Sequence, residues 1–599
     1  MAKRKLETAV AAHHGSALSA QRLLSVAGED DVSRRSGDTA WSNAASRRLR
    51  LISQSYQTTL KLDTTNDDQL DFHVIKLPEV LSWFCEANDG FAKMVEQSIS
   101  GNVAASVYLY CDEVTPGSVL APQNERKSYL WYLAFDSGGY FLQEVHNWTC
   151  VAIMRHDNVD RVQGGLSAAV KALAHHLFDS STNVVTVGER TWLLKVCLKR
   201  LTGDADAMRA IFGAMGSGGV RPCLKCTNCI HKLAKNVPAG YVTICESNDA
   251  LFKPMSDGLL YKIVDYLKRI AETQGKPQLD KAETTHGLHW DPAGLLADTS
   301  LRETVLPSHG TGDSMHILYS NGVAALELGL FMAACSISLE DVYAFAKLWG
   351  ANQDVLSALH ENKFTTSTYR GGASECLSLI PLVAEYAKTS VKNSAPQVAS
   401  MVALGDVCRE LQLLKRQRTQ QMPDVEPLRH ALRNHMSLFL RAYGERHVKP
   451  KHHQAMHLPD EIMQLKRVMD CFCCERRNKI WKLHVAPFCT VPAHLEKHSL
   501  AKLLLMQHED LTKAAYKEEY MDKPSRSQKC ELQYGWEQAY ISYSCWRRGQ
   551  RFTVGDIICD GDTAFEMIAC VSDGADLYIL CDTYRSDPWL MPCCLLICF

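Results

Sequence analysis

The sequence predicts an α/β protein: a strand-and-helix core, split by a large helical insertion and followed by a small β-rich C-terminal module. Three observations carry this. Between residues 104 and 222, three strand-like runs precede a helical run and a further apolar segment. From about 240 to 445 the apolar spacing is mostly helical. From about 545, short strand-like runs alternate with Gly-Asp turns.

Taken in order, residues 1–55 are rich in Ala, Ser, Arg and Asp with little apolar periodicity, and are expected to be a disordered tail. Lys3-Arg4-Lys5 within it is a short basic signal of the nuclear kind, so the expected location is the nucleus. Residues 56–103 are expected to form a helical pre-core region, because 77–100 show helical spacing after Pro78. In the first half of the core, 104–222, Ala104–Val114 is rich in β-branched and aromatic residues and suits a buried strand. A turn at Thr115-Pro116-Gly117-Ser118 follows it. Lys127–Phe135 and Thr149–Met154 are two more strands, Leu166–Phe178 a helix, and Trp192–Leu198 another apolar segment. The glycine-rich Gly213–Gly219 leads into residues 223–447, the expected helical insertion. There Leu259–Ala271, Gly322–Ala334, Val407–Leu414 and 427–443 have helical spacing, and 275–312 reads as loop. Residues 448–490 carry a histidine pair and a helix; 491–544 are helical to about 520 and then polar; 545–599 form the β-rich module. No fixed-period repeat is present.

With 599 residues, the chain can bury a sizeable core and hold two to four domains. Its 46% hydrophobic and 22% charged residues indicate a soluble globular protein. No apolar run approaches the ~20 residues of a membrane helix, and the start lacks a secretory apolar region, so an intracellular protein without a membrane partner is expected. In that setting the 23 cysteines are mostly reduced thiols or metal ligands. A net charge of −2, from 65 basic and 67 acidic residues, leaves nucleic-acid binding to a local basic groove.

The chemistry-bearing residues lie in a particular order. Asp112 ends the first strand, where an ionised carboxylate needs a partner; it is either a turn cap or a metal ligand. Asp204 precedes the helical run Ala205–Phe212 and is either its N-cap or a second ligand, with Asp206 as a rival. Glu475, if helical, shares a face with Lys479 and Lys482 at spacings of four and three. Three carboxylates on an α/β scaffold can hold two Mg²⁺ or Mn²⁺ ions for phosphodiester displacement. Cys223-Leu-Lys-Cys226 and His453-Gln-Ala-Met-His457 can each hold one side of a tetrahedral zinc. Each pair is expected about once at random in a chain this rich in Cys and His, so order matters more than presence. Cys229 can substitute on one side, and His452 competes with His453 on the other.

In this order (strand-Asp, Gly203-Asp204, Cys-x-x-Cys, Asp313-Ser-Met-His316, Lys449-Pro-Lys-His-His-Gln-Ala-Met-His457, Glu475) the chain resembles DDE transposases of the CACTA (En/Spm-like) class. It also resembles the catalytic core of the V(D)J recombination-activating recombinase. The resemblance covers roughly residues 100–490 and rests on order and spacing. It implies an RNase H-like core split by a helical insertion, with Asp112, Asp204 and Glu475 as catalytic acids. It further implies two Mg²⁺ (or Mn²⁺) ions and a structural Zn²⁺ on Cys223, Cys226, His453 and His457. Asp313, Met315 and His316 match a family signature, and Asp313 adjoins it as a further rival for the second acid. Phosphate contacts fall to Arg476, Lys479 and Lys482. The implied activity is DNA cleavage and strand transfer, with element ends and target DNA as partners and a homodimer as the working form. The alternative is a domesticated, catalytically inactive DNA-binding or scaffold protein. A zinc hydrolase ranks last, since no His-Glu-x-x-His helix is present.

Overall fold

In the computed structural model, the described residues are 37–598, less 101–103, 119–120, 179–183, 232–235, 392–394, 417–421, 487–493, 515–518, 522–524, 527–539, 548–549, 554–556, 561–562, 573–576 and 584–593. Lys3-Arg4-Lys5 and most of the expected tail lie outside them. The chain is a mixed α/β protein. Helix α1 (Gly37–Tyr56) leads into a hairpin of β1 (Gln57–Asp63) and β2 (Gln69–Ile75). Helices α2 (Leu77–Ala87) and α3 (Asp89–Ile99) follow, and then the strands β3 (Ala105–Val114), β4 (Ser128–Phe135) and β5 (Thr149–Arg155). Helix α4 (Gly165–Phe178), strand β6 (Val196–Gly203) and helix α5 (Ala205–Phe212) complete the segment up to the cysteine pair.

The seven-stranded sheet has the order β1-β2-β5-β4-β3-β6-β7, with β7 the short strand Gly310–Gly312. β3, β4 and β5 form an antiparallel meander, and β6 and β7 extend it parallel to β3. The central strand β3 is buried at all but two positions, Ser106 and Glu113, which explains its continuous apolar run. One core joins this sheet to α2–α5, to α6 (Asp257–Thr273) and to the C-terminal helices. Trp131, Trp148 and Tyr132 are among its fully buried side chains.

Past β7, a π-helical turn (Met315–Tyr319) and the helices α7 (Val323–Ala334), α8 (Ala373–Thr389), α9 (Pro396–Arg416) and α10 (Glu426–Tyr443) build a second core. Helix α11 (Pro450–Ala455) carries the histidine pair's first member, and α12 (Phe472–Ile480) carries Glu475. Helix α13 (Leu495–Leu511) packs on β5 and α1. It is fixed there by polar contacts: Glu496 accepts from the backbone N–H of Arg155 (2.7 Å), and Asn88 donates to the Leu511 carbonyl (2.8 Å).

Several expectations are corrected. Residues 37–55 are helical rather than a disordered tail: Ile52 is buried, and Tyr56 stacks on Trp83 at 4.4 Å. The region 56–103 opens with a hairpin, not a helix. Its strand signal is the alternation of Leu70, Phe72 and Val74, all buried, with Asp71 and His73 between them. The stretch 275–312 contains the helix Lys276–His286 and the edge strand β7. Within 223–447, Leu260, Ile263, Val264 and Leu267 pack in the sheet's core, while Cys226, Cys229, Ile244 and Cys245 join the helical core that runs on from Ile317. Met315–Ala334 is a 20-residue stretch apolar enough for a membrane span, against the expectation of none, and 72% of its apolar window is buried in the protein. Helix α13 stops at Leu511 instead of about 520. The β module also starts earlier than 545. Glu519–Met521 pairs with Ser544–Arg547, and Tyr540–Ser542 with Thr563–Ser572. Parts of that module lie outside the described residues.

Candidate active site and metal clasp

Register brings the acids together. Cys111 of β3 lies opposite Gly203 of β6, and Gly203 lies opposite Gly312 of β7. The next residue on each strand is an aspartate: Asp112, Asp204 and Asp313. Three aspartates thus stand in a row at the carboxyl ends of three adjacent parallel strands, where open sheets characteristically present their ligand sites. The close spacing needs Gly203, since a Cβ there would meet the Cys111 carbonyl oxygen at 2.3 Å.

Each aspartate has a different environment. Asp112 is buried, with 6% of its surface exposed. Its Oδ2 accepts from the Tyr110 hydroxyl (2.8 Å) and from Asn478 Nδ2 (2.9 Å), and its Oδ1 from the Glu113 N–H (2.8 Å). Burial, then the charges of Glu475 and Asp204, push its carboxyl well above the ordinary carboxylate range. Asp204 is the N-cap of α5, accepting from the Ala207 N–H at 2.7 Å, while its charge still reaches Asp112. Asp206 points away, exposed and paired with Arg209. Asp313 is fully buried and fully engaged: its carboxylate accepts from the N–H groups of Met315 (2.9 Å), His316 (3.1 Å) and Cys471 (3.2 Å), and binds His316 Nδ1 at 2.6 Å. Of the three candidates for the second acid, only Asp204 combines proximity to Asp112 with an uncommitted carboxylate oxygen.

Glu475 arrives from the other side. On α12 it forms an ion pair with His316, whose Nε2 lies 3.6 Å from its Oε1, and its charge reaches Asp112. Burial opposes its charge, but His316, through hydrogen bond and charge, holds the carboxyl below its ordinary value. Burial also opposes the charge on His316, yet Asp313, followed by Glu475 and Asp112, pushes its pKa up to about 11. An imidazolium therefore sits inside the acid cluster at neutral pH. The helix of Glu475 is fixed by Asn478, which reaches Asp112, and by the buried Arg477, which donates to Gln507 Oε1 of α13 (3.0 Å). Lys482 lies near enough to favour Glu475 ionisation, Lys479 is exposed, and Arg476 donates to the Gln143 carbonyl (2.6 Å).

The second site is the clasp. Cys226 Sγ lies 3.5 Å from His453 Nε2 and 3.4 Å from His457 Nε2; Cys223 Sγ lies 3.5 Å from His457 Nε2. The two Nε2 atoms are 3.1 Å apart, and all four ligand atoms lie within 4.8 Å of one another. Zinc bond lengths of about 2.3 Å to sulfur and about 2.0 Å to nitrogen place tetrahedral S and N ligands about 3.5 Å apart, and two N ligands about 3.3 Å apart. The four residues fit a tetrahedral ion. The two thiols are coupled: a hydrogen bond from Cys226, with His453 and His457 nearby, holds the Cys223 thiol well below its usual range, while that same bond, burial and the Cys223 charge push Cys226 up. Burial keeps His457 neutral. His452 is not a ligand here. Its Nδ1 accepts from the Lys449 N–H (3.1 Å), and its ring packs on Phe439 at 4.4 Å. Cys229 stays apart in the short strand Cys229–Ile230.

Sequence reasoning missed Tyr110, Asn478 and the engagement of His316. Tyr110 stands two residues before Asp112 on the same strand face, and Asn478 three after Glu475 on the same helix face, so both spacings were readable. No family model matches the chain, and no curated protein matches it.

Proposed function

We propose that this chain is a DDE-type polynucleotidyl transferase, a DNA transposase or a protein derived from one, built on an RNase H-like core. The observation that carries the reading is the meeting of Asp112 and Asp204, from parallel strand ends, with Glu475, from a helix more than 260 residues later. Asp112 resists ionisation where it stands, first because it is buried and then because Glu475 and Asp204 crowd it, and a bound cation would offset that cost. Asp112, Asp204 and Glu475 would hold two Mg²⁺ (or Mn²⁺) ions, which when bound activate a water or a 3′-hydroxyl and stabilise the leaving oxygen. The protein's own groups orient the carboxylates: Tyr110 and Asn478 fix Asp112, the α5 backbone fixes Asp204, and His316 fixes Glu475. The His316 imidazolium offsets negative charge in the cluster. Lys482 and Lys479, with Arg476 once released from Gln143, supply sequence-neutral phosphate contacts on DNA. A zinc on Cys223, Cys226, His453 and His457 has all four positions filled by protein, which suits a structural ion rather than a hydrolytic one.

The test is a DNA cleavage and strand-transfer assay with Mg²⁺ or Mn²⁺, comparing wild type with Asp112→Asn and Glu475→Gln. Each substitution is expected to abolish turnover while salt-dependent DNA binding persists. Activity that survives both would falsify the assignment. DNA binding without cleavage by the wild type would move the chain to the domesticated class.

A further inference from the structure

An ammonium group bridges the helix of the clasp and the turn that carries His316. Lys451 lies on α11, two residues before the clasp ligand His453. Its Nζ donates to the carbonyls of Ser320 (2.9 Å) and Asn321 (3.2 Å). Those carbonyls close the π-helical turn Met315–Tyr319, which carries His316. The chain reverses sharply there. Asn321 has a left-handed φ of 49°, and a Cβ on Gly322 would meet the Ile317 carbonyl oxygen at 2.4 Å. A cation on exposed carbonyls at a helical C-terminus satisfies acceptors that the turn cannot satisfy itself.

The π-turn is thus held at both ends. At its start, Asp313 binds His316, and Ser314 donates to the Met469 carbonyl by N–H (3.1 Å) and Oγ (2.9 Å). Lys451 holds its end. His316 stands between the two anchors, facing Glu475. A groove of about 110 Å³ separates the clasp from the acids, bordered by Met208, Cys223, His316, Lys451 and His457. The Lys451 ammonium reaches across it to the π-turn.

We propose that Lys451 is a positioning residue that couples the Cys₂His₂ clasp to His316, and through His316 to Glu475. This rests on the catalytic reading of the acids but concerns how they are held. The clasp fixes α11, α11 aims Lys451, and Lys451 sets the end of the turn from which His316 reaches Glu475. The clasp thereby acts on the acid centre without touching a reacting atom.

The experiment uses the full chain with Lys451→Met, Lys451→Arg, His316→Ala and the Lys451→Met/His316→Ala double variant. Three quantities are measured: bound zinc, Mn²⁺ affinity by EPR titration, and DNA cleavage kinetics. Lys451→Met is expected to keep its zinc but to lose Mn²⁺ affinity and kcat by about tenfold or more, with KM for DNA little changed. Lys451→Arg should restore most of both. The double variant should be no worse than His316→Ala, because the two residues act in series. Normal Mn²⁺ binding and kcat in Lys451→Met would overturn the proposal, as would losses that multiply in the double variant. Loss of zinc from Lys451→Met would also overturn it, by making Lys451 part of the clasp's own fold. A wild type that binds Mn²⁺ at the acids but cleaves no DNA sinks the catalytic reading alone, and the Mn²⁺ titrations still decide the coupling.

Discussion

Asp204 shows how one side chain can satisfy a structural and a chemical reading together. It caps α5 through one oxygen, and its charge acts on Asp112. The two roles separate by substitution. Asn caps a helix about as well as Asp, whereas Ala does not, at a cost of about 1 kcal/mol. Asp204→Asn should therefore keep the wild-type Tm yet lose Mn²⁺ binding and turnover, while Asp204→Ala should lose both function and about 1 kcal/mol in denaturant unfolding. Equal destabilisation by both would mean that the carboxylate's charge, not the cap, stabilises the fold. The location of this residue was legible because Gly-Asp before a helical run is a local pattern. What distinguishes Asp204 from Asp206 and Asp313 was not legible. That difference lies in which carboxylate is already consumed: Asp206 by Arg209 and Asp313 by three N–H groups and His316.

Among the secondary-structure elements, β3 was readable as a strand because it is buried on both faces and runs almost continuously apolar, whereas β6, with Lys199 and Arg200 inside it, showed only as an apolar segment at Trp192–Leu198. The edge strand β7 was not. Its three residues, Gly310–Gly312, have almost no side-chain pattern, and only pairing with β6 makes them a strand. Placing Asp313 beside Asp204 therefore required the sheet. The same pairing makes Gly203 a sensitive position. Its neighbours across the ladder are Cys111 and Gly312, and a methyl group would press on the Cys111 carbonyl. Backbone cannot yield as a flexible side chain can, so Gly203→Ala should cost roughly 1–3 kcal/mol of stability. It should also separate Asp112 from Asp204, and so weaken Mn²⁺ binding beyond what the loss of stability explains. Urea unfolding together with Mn²⁺ titration checks both; unchanged Mn²⁺ affinity would show that the two strand ends move together.

For the whole molecule, the decisive feature is that two hydrophobic cores meet at the clasp. The sheet core includes α6 and the helix of Glu475, while the helical core runs from Ile317 to Ile462 and takes in Cys226 and Cys229. The sequence order of the Cys and His pairs already suggested a tether between distant segments. It could not show that the chain crosses between the cores at β7 before the second pair arrives. That crossing means the helical core is tied to the sheet at several places: through β7 and the π-turn, through the chain leading to α12, and, with a metal bound, through the proposed clasp. Zinc bound by four residues that are preorganised only in the folded chain contributes its binding free energy to folding. Removing a zinc from the proposed clasp would leave the half-buried Cys223 beside two imidazoles and loosen α11, but both apolar cores remain. Chelation should therefore not unfold the chain outright. Calorimetry should instead resolve one cooperative transition into two, the first at lower temperature from the helical core. DNA cleavage should fall in step with zinc loss even with Mg²⁺ in excess, and return when zinc is restored. A single transition that merely shifts downward would show that the cores are one cooperative unit without the metal.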